Sequence, residues 1–149
     1  MSLRVLLRKD SALRDWIQPG LQALSRGDRR RIELSQASFV VDSIALDAAL
    51  KGEHPSTARW DYWIGVRSGT GPLVAVEVHP ATHGEVKGVI AKKHWASGVA
   101  NKHMSDKSVA AWYWIASGKT SITSNSRESR QLANAGIELV GSRLRLPRA

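Results

Sequence analysis

The chain has 149 residues, with 22 Lys and Arg against 13 Asp and Glu, for a formal net charge of +9. That length suits one domain with a core of its own, and 42% apolar with 23% charged residues is the composition of an ordinary folded protein. Cysteine is absent, which excludes disulfides and thiolate metal sites and fits a reducing compartment, and no apolar run approaches the ~18 residues of a membrane-spanning helix. The opening residues hold one short apolar patch and then charge, without the apolar stretch and small-residue cleavage site of a secretory leader. A cytoplasmic location is therefore expected.

From the N-terminus, residues 3–24 read as a short helix broken at Pro19-Gly20. Asp28 then stands as N-cap for a helix over residues 29–50, with Gly52 as its stop. Phe39, Val40, Val41, Ile44, Ala45, Ala48 and Ala49 would form its apolar face, and Glu33, Gln36, Asp42 and Asp47 its polar one. Residues 53–58 form a loop. Residues 60–67 and 73–79 are two strands joined by the Gly-rich turn 68–72, a β-hairpin. The second strand is almost wholly apolar and so lies inside the sheet. Leu73, Ala75, Glu77 and His79 share one of its faces, and Val74, Val76 and Val78 the other.

Pro80 ends that strand. Thr82 and Glu85 have the spacing of a capping box for a helix over 83–95, which turns Val86, Val89 and Ile90 to the core and leaves Lys87 and Lys92 off that face. Residues 97–108 read as a loop, 109–117 as a Trp-rich strand, 126–135 as a helix stopped by Gly136, and 137–140 and 143–146 as short strands. The order helix, β-hairpin, helix, strand, helix, strand describes an α/β fold with a mixed central β-sheet flanked by helices. Residues 1–27 are its helical extension and 28–149 its core, in a single domain.

Charge is unevenly placed along this chain. Residues 86–136 carry eight cations (Lys87, Lys92, Lys93, Lys102, Lys107, Lys119, Arg127, Arg130) against Asp106 and Glu128. The run Arg29-Arg30-Arg31 adds a second basic cluster, and the acids collect between Glu33 and Glu85. Such a surface is the footprint of a polyanion partner, nucleic acid above all, since Lys and Arg displace counterions from phosphates. Solubility alone would also account for it.

Asp61 begins one hairpin strand and Glu77 lies near the end of the other, so the two meet at the end away from the turn. Two carboxylates brought together there repel unless a cation lies between them, and an acid within an apolar strand is costly unless paired. Hard oxygen ligands, one from each strand, suit Mg²⁺ or Mn²⁺. Such an ion polarises a phosphodiester and activates water.

Over residues 29–146 the chain resembles the PD-(D/E)XK, restriction-endonuclease-like, nuclease superfamily. The carriers are a helix, Asp61 in a hairpin strand, Glu77-Val78-His79 in the next, then a helix, a strand, and the helix-to-strand segment Leu132-Ala133-Asn134-Ala135-Gly136-Ile137. The resemblance implies a metal-dependent nuclease acting on DNA or RNA. Asp61 and Glu77 would bind Mg²⁺ or Mn²⁺, and an acid on the preceding helix, here Glu33, would support them. The lysine that the family uses to position water is replaced by His79, and Trp60 precedes Asp61 where the family has proline. His79 would then hold the water or act as base, or Lys87 would reach back from the next helix to supply the cation. A third outcome is a site that has lost catalysis, leaving a nucleic-acid-binding module on the same fold.

Other readings stay open beside this one. Glu77, His79, His83 and Glu85 could converge on Zn²⁺, although Pro80 separates the strand pair from the helix pair. Six tryptophans suit base stacking or a hydrophobic core, and Trp60, beside a loop and the acids, is the stacking candidate. Lys87, Lys92 and Lys93, with Arg29, Arg30 and Arg31, are the expected phosphate contacts. Nucleases of this size that cut duplexes often work as homodimers, but no pattern here identifies an interface. With no Gly-x-Ser-x-Gly and no cysteine, acyl-transfer triads have no support. A structural or protein-interaction domain whose charge is incidental is the remaining class.

Overall fold

The computed structural model describes residues 2–52, 59–67, 73–105 and 109–148. The expected 53–58 loop and 68–72 turn, with Asp106 and Lys107, lie outside them. In chain order the elements are α1 (Leu3–Leu6), β1 (Gln18–Pro19), α2 (Arg26–Arg29), β2 (Ile32–Leu34), β3 (Val40–Ala45), α3 (Leu46–Ala49), β4 (Tyr62–Val66), β5 (Leu73–Ala81), α4 (Val86–His103), β6 (Val109–Thr120), α5 (Arg127–Asn134), β7 (Ile137–Leu139) and β8 (Leu144–Leu146). Short 3₁₀ turns cover Ala12–Trp16, Ala37–Phe39 and His83–Glu85. Among the described residues no helix is long and apolar enough to cross a membrane.

The sheet has six strands in the order β1-β3-β4-β5-β6-β7. β3, β4 and β5 form an antiparallel meander. β6 and β7 join in parallel, the first through the α4 crossover and the second through α5, as parallel neighbours require. The hairpin and the interior position of β5 are as the sequence indicates. Alternation along β5 splits the core in two. Leu73 and Ala75 join the layer under α1, α4 and α5, with Trp60, Trp63 and Trp114. Val74 and Val76 join the opposite layer, with Tyr62, Ile64, Tyr113 and Ile115. That second layer is covered by the parallel β2–β8 ribbon and Leu24, not by helices.

The helix expected over 29–50 does not form. The segment instead holds the end of α2, then β2, β3 and the one-turn α3. The apolar spacing that suggested a helix is overridden by β-branched Val40, Val41 and Ile44, which pack well on a pleated surface. Two polar residues inside β3 are satisfied from far along the chain. Asp42, 5% exposed, accepts from the N–H groups of Leu3 (2.9 Å) and Arg4 (3.4 Å), and Ser43 Oγ accepts from Ala23 N–H (3.2 Å). Asp42 thereby caps the first turn of α1, two of whose N–H groups need an external acceptor. Residues 1–27 are less helical than expected: α1 is four residues, and β1 adds an edge strand against β3.

Two helix boundaries also move. Ser25, not Asp28, caps α2, its hydroxyl accepting from Asp28 N–H at 3.2 Å. The Thr82–Glu85 capping box does not close, because Thr82 makes no side-chain cap bond and Glu85 turns to His79. α4 starts at Val86 and runs to His103, through most of the expected 97–108 loop. α5 behaves as read: Ser126 caps its start, and Gly136 follows its end at φ +75°, the left-handed conformation that favours glycine.

Candidate functional site

The register of β4 and β5 pairs Tyr62 with Val76, so Asp61 and Glu77 fall opposite one another just past the last main-chain pair. There the side chains continue the ladder. Asp61 N–H donates to Glu77 Oε1 (3.0 Å), and Val78 N–H donates to Asp61 Oδ2 (2.9 Å). The two acids thus share one end and one face of the hairpin. Glu77's side chain is fully buried, with 0% exposure.

The cation beside them comes from α4. Lys92 Nζ donates to Glu77 Oε2 at 2.5 Å, its side chain 19% exposed. It is not Lys87, which lies on the exposed side of the helix. It is not His79 either, whose Nε2 donates to Glu85 Oε2 at 2.7 Å while its carbonyl accepts from the Trp114 indole at 2.9 Å. Among the described residues Lys92, rather than His79 or Lys87, is thus the cation beside the two acids. The sequence carried a signal for this. Lys92 does not lie off the apolar face, as the shorter helix over 83–95 suggests: Val86, Val89, Ala96, Val99 and Ala100 form the buried stripe of the longer α4, and the 3–4 spacing between them puts Lys92 and Lys93 on or beside that stripe.

Two carboxylates with one lysine leave negative charge uncompensated. Burial, and then the charge of Asp61, push Glu77 up to about 8, against the opposing pull of Lys92. Burial pushes Asp61 up to about 6, opposed by the Val78 N–H and Lys92. Desolvation outweighs the lysine because the ammonium reaches one oxygen of one acid only.

Further acids stand near Asp61 and raise it in turn. Asp28 on α2 accepts from the Tyr62 hydroxyl at 2.5 Å, and Asp47 on α3 pairs with Arg59 at 2.9 Å. Burial and the Asp28 bond hold the Tyr62 phenol well above its ordinary value. A cavity of about 320 Å³, lined by Leu24, Ser25, Asp47, Ala48, Asp61 and Tyr62, opens on this side. The sequence pointed to Glu33 as the supporting acid. Glu33 instead lies on β2 and pairs with Arg143 at 3.0 Å on the ribbon. With no helix over 29–50 to carry it toward the hairpin, the further acids near Asp61 among the described residues are Asp28 and Asp47.

The expected phosphate contacts divide. Lys93 donates to the Ala135 carbonyl, closing the end of α5, and its Nζ lies 5.3 Å from the Trp112 ring centre; burial lowers its pKa. Trp60 is 0% exposed and meets Trp112 edge-on at 5.0 Å, so it is core and stacks no base. Arg29 donates to the Leu24 carbonyl (3.1 Å), and Arg31 to those of Ser142 (3.3 Å) and Ala116 (3.5 Å). Arg30 and Lys87 are exposed. The zinc quartet does not assemble, since His83 Nε2 donates to the Ser121 carbonyl (2.7 Å) while Glu77 holds Lys92. Among the described residues no three His, Asp or Glu side chains form a metal-ligating cluster.

The donor set suits a hard divalent cation in type and charge. Asp61 Oδ1 has no hydrogen-bond partner among the described residues, and each carboxylate oxygen keeps a lone pair beyond its present bond. No family model, curated protein or solved structure matches the chain.

Proposed function

We propose that this chain is a divalent-metal-dependent nuclease of the PD-(D/E)XK type, acting on DNA or RNA phosphodiesters. One observation carries the reading: two acids on adjacent strands, Asp61 and Glu77, face each other, and a lysine, Lys92, reaches Glu77 from the crossover helix. The antiparallel meander, the α4 crossover and the parallel β6 support a restriction-endonuclease-like arrangement. The net charge of +9 supports a nucleic-acid partner.

In this reading Asp61 and Glu77 hold Mg²⁺ or Mn²⁺, which when bound polarises the phosphoryl group and acidifies water. The chain's own part is positioning. A lysine ammonium has three donors, and Glu77 engages one. The others point a water, or an oxygen of the scissile phosphate, toward the reaction centre. Glu77 fixes where that ammonium sits, and α4 fixes Glu77 in turn by bringing Lys92 down on it. His79, held by Glu85, stands at the rim and is not needed as the missing cation.

The test pairs binding with chemistry. Wild-type protein is expected to bind Mn²⁺ by calorimetry and to nick plasmid DNA or a labelled RNA in its presence. Asp61→Asn, which keeps shape and removes one charge, abolishes both while the circular dichroism spectrum is retained. Wild type that neither binds Mn²⁺ nor cuts any nucleic acid would refute the reading, and cutting undiminished by Asp61→Asn would misplace the site.

A further inference from the structure

Beyond the acids, β5 runs on to Ala81 and the chain turns through His83–Glu85 into α4. At this turn the starts of α4 and α5 come together around a second cavity of about 320 Å³, lined by His83, Gly84, Lys87, Arg127, Glu128 and Gln131. Its two cations are exposed. Among the described residues the five ion pairs use other side chains, and neither Lys87 nor Arg127 has a hydrogen-bond partner. Lys92 and Lys93, turned inward, are held by groups of the chain itself; among the described residues Lys87 and Arg127 are held by none.

The cavity wall is set firmly. His83 is tied to the residue just past the end of β6, its N–H accepted by Ser121 Oγ at 3.1 Å and its Nε2–H by the Ser121 carbonyl at 2.7 Å. Gly84 leaves the mouth open, since a Cβ built there would meet nothing within 4 Å. An arginine fork and a lysine point charge facing an open, polar hollow suit one chemistry well, a phosphate group with its several acceptor oxygens. From Glu77 to Ala81 the strand advances four residues, about 13 Å at the usual rise. A span of that order reaches past the nucleotide at the acids to a neighbouring backbone phosphate.

Resting on the nuclease reading above, we infer that the cavity between the starts of α4 and α5 is a backbone-phosphate subsite, in which Lys87 and Arg127 grip the nucleic-acid strand a few nucleotides from the bond that Asp61 and Glu77 address. Glu128 lines the same hollow and opposes an anion there. It sets the sign of a second test: removing its charge tightens binding.

The probe is a fluorescently labelled 16-nucleotide single-stranded DNA, titrated by anisotropy from 0.05 to 0.3 M salt. Each cation that neutralises a phosphate of a single strand contributes about 0.7 to the slope of log affinity against log salt. Lys87→Ala with Arg127→Ala is expected to lower that slope by about 1.4 and the affinity at 0.1 M salt by roughly 25-fold. A control of equal charge, Lys9→Ala with Arg145→Ala, removes two exposed cations from elsewhere and should cost far less. Glu128→Gln should bind more tightly than wild type, and it keeps the test open if the double variant loses its fold. Hydrolysis of the small diester bis(p-nitrophenyl) phosphate, which cannot span the two places, should be unchanged in all of them.

A double variant that binds no more weakly than the control, or a Glu128→Gln that weakens binding, overturns the subsite. Wild type that binds the strand through Lys87 and Arg127 yet hydrolyses no phosphodiester overturns the nuclease reading and leaves the subsite standing. Wild type that binds no oligonucleotide even at the lowest salt overturns the subsite whatever the small diester shows.

Discussion

Replacing Glu77 by Gln should make the metal-free protein more stable at pH 8, although it destroys the proposed site. In the folded chain burial and Asp61 push Glu77 up to about 8, whereas its ordinary value, which the unfolded chain restores, is 4.5. Between these pH values the native state binds more protons than the unfolded one. Stability therefore falls as pH rises through that window, by up to about 1.4 kcal/mol per pH unit for one proton. From pH 5 to pH 8 the ceiling is about 4 kcal/mol, and relaxation around the ion brings the expected loss to about 2–3 kcal/mol. Asp61, raised from 3.8 to about 6 by burial, adds loss of the same sign at the acid end of the window.

Gln cannot ionise, so Glu77→Gln should escape most of this fall. Its amide oxygen still accepts the Asp61 N–H, and Lys92, part-exposed, can turn its head to water. The net gain at pH 8 is about 2 kcal/mol, equivalent to roughly 4–8 °C for a chain of this size. At pH 5 the two proteins should melt together. Thermal unfolding followed by circular dichroism in EDTA, at half-unit steps from pH 5 to 8.5, reads the difference. Saturating Mn²⁺ should flatten the wild-type curve by holding both acids ionised, and leave Glu77→Gln unmoved. A variant that is less stable than wild type at pH 8, or that keeps the wild-type pH slope, would show that Glu77 is adequately compensated by Lys92 alone and that no further cation is called for.

Cleavage should drop by about 10²–10⁴-fold in Lys92→Ala, the usual worth of a group that positions or moves a proton, but by less than about tenfold in His79→Ala; single-turnover rates with excess enzyme separate the two, and the reverse order would return the role to His79. Asp42→Ala strips the acceptor from the N–H groups of Leu3 and Arg4 and should cost about 1–3 kcal/mol in urea unfolding, with Asp42→Asn recovering part; a loss below about 0.5 kcal/mol would mean that α1 needs no cap. Gly136→Ala sets a Cβ 2.9 Å from Lys93 Nζ at a φ of +75°, and should cost about 1–2 kcal/mol, with Gly136→Asn costing less; equal losses would point to the lysine contact over the backbone.

The hairpin was legible because its evidence is local. Tyr62–Val66 and Leu73–Ala81 are dense in β-branched and aromatic residues, and their alternation put Glu77 on the face that it occupies. α5 was legible for the same reason, through Ser126 and Gly136 at its two ends. β3 was not. Its apolar residues also fit a helix, and what decides for the strand lies elsewhere: β4 on one side, β1 on the other, and the N–H groups of Leu3 and Ala23 that make room for Asp42 and Ser43. A helix over 29–50 would carry Glu33 toward the hairpin, whereas β2 holds it on the ribbon against Arg143. The tryptophans were ambiguous for a different reason, since the same residue stacks on a base or fills a core, and only the full burial of Trp60 decides.

Lys92 shows where a spacing motif stops carrying information. A motif along one strand can place Glu77 and ask what stands two residues later. It cannot say that the crossover helix lays a lysine back across the strand it has just left. That follows from the parallel pairing of β5 and β6, which obliges α4 to cover the face that bears Glu77. The trace of it in the sequence is an anomaly of type: the stripe Val86, Val89, Ala96, Val99 is apolar except where Lys92 and Lys93 interrupt it. A lysine on a buried stripe is costly unless something receives its charge. Here one is received by Glu77 and the other by the carbonyl end of α5, so the same rule that made Glu77 conspicuous in its strand makes Lys92 conspicuous in its helix. The two anomalies are one ion pair, and reading either as a surface residue loses the site.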